Sequence, residues 1–181
     1  VGDTAWCGPD SRGNFEQVAI KSIHVNRVSV HTAVAGQNAT FAVSTDADES
    51  VIHTLRKRKG MFLLESSQTP QACLEFEADV VVLHHPNRIA CNYSPVVHAG
   101  CIRQAARLIS LEKEKLKAGD SARCRFQFLY QPEYLVPGTP VLFRDGRTRA
   151  VGTVVSIEPI VPHQAPPALP FVDSPFALAL E

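Results

Sequence analysis

Val34-Ala35-Gly36-Gln37-Asn38-Ala39-Thr40-Phe41 and, 83 residues further on, Lys117-Ala118-Gly119-Asp120-Ser121-Ala122-Arg123-Cys124 carry one local pattern twice. In each copy a turn made of Ala-Gly and a polar residue launches a run in which apolar and polar side chains alternate, the period of a half-buried strand. Further along each copy a glycine (Gly60, Gly138) precedes another apolar strand, Met61–Leu64 or Val141–Phe143. One supersecondary unit used twice predicts an all-β fold of two related antiparallel barrels in tandem.

The flanking segments extend this pattern. Glu16–Ile23, Val25–Val30 and Ala39–Val43 read as strands of the first barrel. In Ala72–His84, Leu74, Phe76, Ala78 and Val80 alternate with Cys73, Glu75, Glu77 and Asp79, which predicts one buried and one wet face. Ser121–Tyr130 sets Cys124, Phe126, Phe128 and Tyr130 against Arg123, Arg125 and Gln127. Val141–Arg144, a turn at Asp145-Gly146 and Arg149–Ile157 read as a hairpin. The expected barrel interior holds Phe76, Val80, Val82, Phe126, Phe128, Val141 and Val154. Two segments read differently. Glu49–Lys59 suits a short helix or turn that stops at Gly60, and its Arg56–Lys59 run is the pattern of a solvated turn. Gln104–Lys117 has helix formers throughout, with Ala105, Leu108, Ile109, Leu111 and Leu116 spaced as on an amphipathic helix.

A chain of 181 residues, 45% apolar and 20% charged, has the material for one ordinary domain or two small barrels. Ser66-Ser67-Gln68-Thr69-Pro70 is the best linker. It divides the chain into a partial barrel over 1–66, a second barrel over 67–157 and a tail over 158–181. That tail holds six prolines, too many for a regular sheet or helix. Formal net charge is zero, yet ten basic and five acidic residues lie between Pro95 and Ala150. Such a local excess suits either an anionic partner or a solvated charged face. Five cysteines with no C-x-x-C pair argue against a disulfide framework, and neither a signal peptide nor a membrane span is expected. The expected compartment is the cytosol.

Several stretches resemble the C-terminal domains of the translational GTPases, the group of elongation factor Tu and elongation factor 1-alpha. They are Val1-Gly2-Asp3, Lys21-Ser22-Ile23-His24, Arg58-Lys59-Gly60-Met61 and, most specifically, Phe143-Arg144-Asp145-Gly146-Arg147-Thr148-Arg149-Ala150-Val151-Gly152-Thr153-Val154. Asn26-Arg27, Pro70-Gln71-Ala72, Glu75-Phe76-Glu77-Ala78, Leu83-His84-His85-Pro86, Val97-His98-Ala99-Gly100, Ile102-Arg103-Gln104 and Pro132-Glu133-Tyr134-Leu135 narrow the likeness to the GTP-binding protein 1 branch. The resemblance implies that Cys101–Leu111 is a strand, against the helical pattern, with Leu111–Lys117 a charged loop. Tertiary context overrides propensity in this way. It also implies that strands of the second domain precede Val1-Gly2-Asp3, so the first barrel is expected to be incomplete.

The chain contains no G-x-x-x-x-G-K-[ST] loop to cradle phosphates and no N-K-x-D motif to read guanine. The expectation is a non-catalytic module with no cofactor of its own. By resemblance, GTP and magnesium would sit in an N-terminal GTPase domain of the same longer protein, and aminoacyl-tRNA and the ribosome would be partners, with RNA-decay factors as further candidates. Elongation factors hold the aminoacylated 3′ end of tRNA at the positions of His24 and Arg27, although they carry Glu in place of His24. Arg103, Gln104, Arg144, Arg147 and Arg149 match or flank positions that face the tRNA stem. A guanidinium suits phosphate because its fork is planar and permanently charged. The competing reading makes His24 and Arg27 strand-edge groups in solvent and gives Arg147 the task of bracing its turn. His84, His85, Cys91, His98 and Cys101 do not have the spacing of a zinc site, so no metal is expected.

Overall fold

The computed structural model describes residues 1–45 and 59–160. The expected helix or turn at Glu49–Lys59, apart from Lys59, and the Pro-rich tail beyond Ile160 lie outside the described residues. Within them the chain is all β, with two antiparallel sheets. No helix of the described residues is long and apolar enough to cross a membrane.

The first sheet contains β1 (Thr4–Gly8), β2 (Glu16–Val25), β3 (Val28–Val30), β4 (Ala39–Ser44) and β5 (Phe62–Glu65). Its order is β3-β2-β1-β5, with β4 on the other edge of β2, and the described strands do not close into a barrel. Ala5, Val18 and Ile23 are buried, whereas Phe41 and Val43 on β4 remain exposed. This sheet is consistent with the tandem barrels that the sequence predicts.

The second sheet is a closed barrel, β10-β11-β6-β9-β8-β7. Its strands are β6 (Cys73–His84), β7 (Val96–Ala99), β8 (Ile102–Leu111), β9 (Ser121–Phe128), β10 (Pro140–Asp145) and β11 (Thr148–Pro159). Phe76, Val80, Val82, Phe126, Phe128, Val141 and Val154 are all buried inside it. The rings of Phe76 and Phe126 stack at 5.5 Å and those of Phe126 and Phe143 at 4.7 Å, a geometry that adds to simple area burial. Gln104–Leu111 belongs to β8 and is not helical. Its apolar residues Ala106 and Leu108 face the barrel interior two apart, and Ile102 continues the row.

The two copies of the Ala-Gly turn are built alike. Gln37 N donates to Val34 O at 3.2 Å and Asp120 N to Lys117 O at 3.0 Å. In both, the polar side chain reaches back: Val34 N donates to Gln37 Oε1 at 2.9 Å, and Lys117 N to Asp120 Oδ2 at 3.0 Å. Gly36 and Gly119 have φ of 91° and 90°, the left-handed third position of a type II turn.

Three local expectations need correction. Cys73, placed by alternation on the wet face, is fully buried because its backbone pairs with Glu133, and burial pushes its thiol up to about 12. Tyr130 is 59% exposed, since β9 stops at Phe128 and the chain turns away. The hairpin loop between β10 and β11 is Gly146-Arg147, because Asp145 and Thr148 still pair; Gly146, at φ 51°, supplies the left-handed first residue.

Pro132–Leu135 joins the sheets. Tyr134 meets Phe15 and Phe62 of the first sheet edge-on at 5.7 and 5.1 Å, while Leu135 is buried in the barrel core.

Candidate nucleic-acid interface

The barrel arginines fall into two chemically distinct sets. On β9, Arg123 and Arg125 point outward and find carboxylates on the neighbouring strands. Arg123 donates to Asp79 through Nε at 2.9 Å and Nη2 at 3.0 Å. The hydrogen bond to Arg123 holds the Asp79 carboxyl below the usual carboxylate range. Arg125 donates to Glu75 at 2.9 Å and also meets Glu158. Gln127 donates to the other oxygen of Glu75 at 3.0 Å, and Ser156 donates to Glu77 Oε2 at 3.1 Å. On the same side Arg107 of β8 meets no carboxylate and donates to Gln127 Oε1 at 2.9 Å, so acids answer Arg123 and Arg125 but not every arginine here.

The other side differs. Arg149 on β11 lies directly opposite Arg144 on β10, both exposed. Arg144 is opposite Val96 of β7, and Arg149 opposite His84 of β6. One step along the strands, a second outward row runs Val81, Val151, Leu142, His98 and Arg103 across β6, β11, β10, β7 and β8. Among the described residues no carboxylate forms an ion pair with Arg103, Arg144 or Arg149. Like charges directly opposite on a sheet are destabilising, so an anion from outside is the natural complement of this face. The second row also exposes aliphatic surface: Val81, Leu142 and Val151 are each more than a third exposed.

The other predicted residues are distributed differently. Arg147 is exposed at the tip of the β10–β11 loop, beside the Arg144–Arg149 pair. Gln104 is buried, and its amide is fully used. Its Nε2 donates to Gln131 O at 3.0 Å and to Glu133 Oε1 at 2.8 Å, and its Oε1 accepts from Tyr130 N at 2.9 Å and Gln131 N at 2.8 Å. The strand parity that turns Arg103 outward turns Gln104 inward, so Gln104 leaves the candidate RNA surface and becomes a brace for the loop after β9. His24 and Arg27 lie on the first sheet. His24 is half-buried on β2 between Ser29 and Thr40, and Arg27 is exposed in the β2–β3 loop. Asn26 and Arg27 have φ of 51° and 67°, as both positions of a type I′ turn require. Arginine is an unusual occupant of the second position, where glycine is the favoured residue.

His98 belongs to the arginine face, although its sequence neighbours suggested only a rejected zinc set. The missed signal is His98-Ala99-Gly100-Cys101-Ile102-Arg103: a two-residue loop with leading glycine puts His98 opposite Arg103. His85 instead shares a 2.6 Å hydrogen bond with Thr148 and packs edge-on against Tyr93. No three potential metal ligands converge among the described residues.

No protein-family model matches the chain. It is 40% identical over 157 residues to GTP-binding protein 1 of Xenopus laevis, covering 87% of this chain and 23% of that protein. With GTP-binding protein 2 of Homo sapiens it shares 36% over 165 residues, 91% of this chain and 26% of the relative. Elongation factor 1-alpha of Eimeria bovis is 33% identical over 98 residues, 54% of this chain and 27% of that protein. The chain thus spans about a quarter of the length of these curated relatives.

Proposed function

Because the chain belongs to the C-terminal β-domains of the translational GTPases, on the branch of GTP-binding proteins 1 and 2, we propose that it binds RNA through the bare arginine face of its closed barrel. Arg103, Arg144, Arg147 and Arg149 take the phosphates of a tRNA stem, and His24 with Arg27 serve the aminoacylated 3′ end. The module performs no chemistry. It works with a GTPase domain of the same longer protein, in the cytoplasm, in aminoacyl-tRNA delivery or in ribosome surveillance and mRNA turnover. The observation that carries this reading is the contrast between the arginines: Arg123 and Arg125 are matched by acids, while Arg144 and Arg149 face each other with none.

The exposed Val81, Val151 and Leu142 favour a second reading, in which this face docks a GTPase domain or an RNA-decay factor without touching RNA. Salt separates the two. Each phosphate contact contributes about 0.7 to 0.9 to the slope of log affinity against log salt. The test is tRNA affinity, charged and uncharged, measured across a potassium chloride series. Arg144→Ala with Arg149→Ala is expected to lower the slope by about 1.4 to 1.8. An unchanged slope would remove this face from RNA and leave protein docking.

A further inference from the structure

We propose that His98 is a further contact of the arginine face, taking up a proton from solvent as an RNA phosphate settles between Arg103 and Arg144. The inference rests on the RNA reading above and adds to it a residue and a proton.

The geometry is set by two registers. His98 lies opposite Arg103 across the β7–β8 hairpin and opposite Leu142 on β10. Arg144 is two residues along from Leu142 on the same outward face, a diagonal position within reach of a long side chain. The imidazole is half-buried, with an aliphatic neighbour on one side and a guanidinium on the other. Partial burial first, then Arg103 and Arg144, hold its pKa below the ordinary 6.5. Among the described residues the groups facing it are Arg103 from β8 and Arg144 from β10, with the exposed Cys101 in the hairpin loop and, beside that loop, Gly60 with its neighbour Lys59; β7 itself adds no charge, and Asp145 lies beyond Arg144 at the hairpin end. In the free protein these groups favour the neutral ring.

A phosphate accepted by Arg103 and Arg144 brings negative charge to the place where their positive charge had opposed protonation. The pKa of His98 then rises on binding, and the imidazolium offers one more N–H donor to the anion. The sign follows from linkage. The bound form holds the proton more tightly than the free form, so affinity increases as pH falls from the bound pKa to the free pKa. It is level outside that window. One site limits the gain to about tenfold per pH unit.

The experiment measures affinity for a 12-base-pair RNA hairpin from pH 8.0 to 5.5 at fixed ionic strength. It compares the unchanged chain with His98→Gln and with His98→Lys, each first shown to melt like the unchanged chain. Between pH 7.5 and 6.0 the unchanged chain is expected to gain about three- to tenfold more affinity than His98→Gln. His98→Lys, with its fixed charge, is expected to bind at pH 7.5 about as tightly as the unchanged chain does at pH 6.0. The salt slope should stay the same in unchanged chain and His98→Gln at pH 8.0. Identical pH curves for the unchanged chain and His98→Gln, with salt-dependent binding intact, would overturn the role of His98 and leave the RNA reading standing. No salt-dependent RNA binding at any pH would overturn both. A parallel titration with polyglutamate is the remaining arm: a His98-dependent pH response seen there and absent with RNA would assign the face to an acidic protein and overturn the proposal.

Discussion

Replacing Gln104 by alanine separates scaffold from surface at the position where sequence and structure disagree most. The Gln104 amide makes four hydrogen bonds: two as acceptor, from the amides of Tyr130 and Gln131, and two as donor, to Gln131 O and Glu133 Oε1. Tyr130 and Gln131 are partly open to water, which can replace the lost acceptor for them. Glu133 is only 3% exposed, so its carboxyl oxygen loses a partner that solvent replaces poorly. Removing one partner of a buried polar group costs about 1–3 kcal/mol. For a chain of this size each kcal/mol lowers the melting temperature by about 2–4 °C, so the expected fall is about 2–12 °C. Calorimetric melting of the purified variant measures it. Gln104→Glu, which sets a second carboxyl against Glu133, is expected to lose at least as much at neutral pH and to recover part of the loss in acid, as the pair takes up a proton. The salt slope of RNA binding, measured below the melting range, should not move. A Gln104→Ala variant that melts within 2 °C of the unchanged chain while its salt slope drops by about 0.9 would refute the assignment and return Gln104 to the RNA surface.

The remaining predictions concern a close approach, a strained turn and a titration. A Cβ at Gly152 would lie 2.5 Å from Asp79 O and 3.3 Å from Val80 Cα; Gly152→Ala is therefore expected to part β6 from β11 and lose about 3 kcal/mol, read from the urea midpoint. Arg27→Gly relieves a left-handed arginine and is expected to raise the melting temperature by about 2–4 °C, while weakening RNA binding if the arginine is retained for phosphate. The Asp79 carboxyl is expected to titrate below its ordinary value, followed by NMR, and to return toward it in Arg123→Ala. Its small contribution to stability is present above the unfolded aspartate pKa and fades as pH falls through the lower folded value.

Much of the fold was legible because turn chemistry and side-chain parity are local. Gly36 and Gly119, with Gln37 and Asp120 reaching back, need nothing beyond their own four residues, and so the repeat could be read directly. The inward set from Phe76 to Val154 follows from a period of two. What failed was non-local. Nothing near Cys73 announces that Glu133, 60 residues away, pairs with its backbone. Gln104–Lys117 has helical spacing because Ala105, Leu108 and Ile109 happen to match that period, and only pairing with β7 and β9 settles Gln104–Leu111 as a strand. The candidate site was partly legible for the same reason. Resemblance points to Arg103, Gln104, Arg144 and Arg149 together; the structure leaves the three arginines exposed and buries Gln104, and the adjacency of the arginines depends on which strands are neighbours in the closed barrel. His98 joins them only when that order is known.

The Phe143–Val154 motif that most specifically marks the family can be divided by parity into two kinds of residue. Phe143, Thr148 and Ala150 are buried, and Gly152 admits no side chain against β6, so these positions are explained by the barrel alone. Arg144, Arg147 and Arg149 are exposed, and no carboxylate among the described residues forms an ion pair with them. Folding requirements would fill such outward positions with threonine, with mixed charges or with the Arg–Asp and Arg–Glu pairs that β9 and β6 form next to β11. The chain instead opposes one arginine to another, a choice that weakens the sheet. The same barrel thus contains its own control. Where acids are supplied the surface is internally satisfied, and where they are withheld the unmet charge, with His98 beside it, is the strongest physical argument that an anion completes the face.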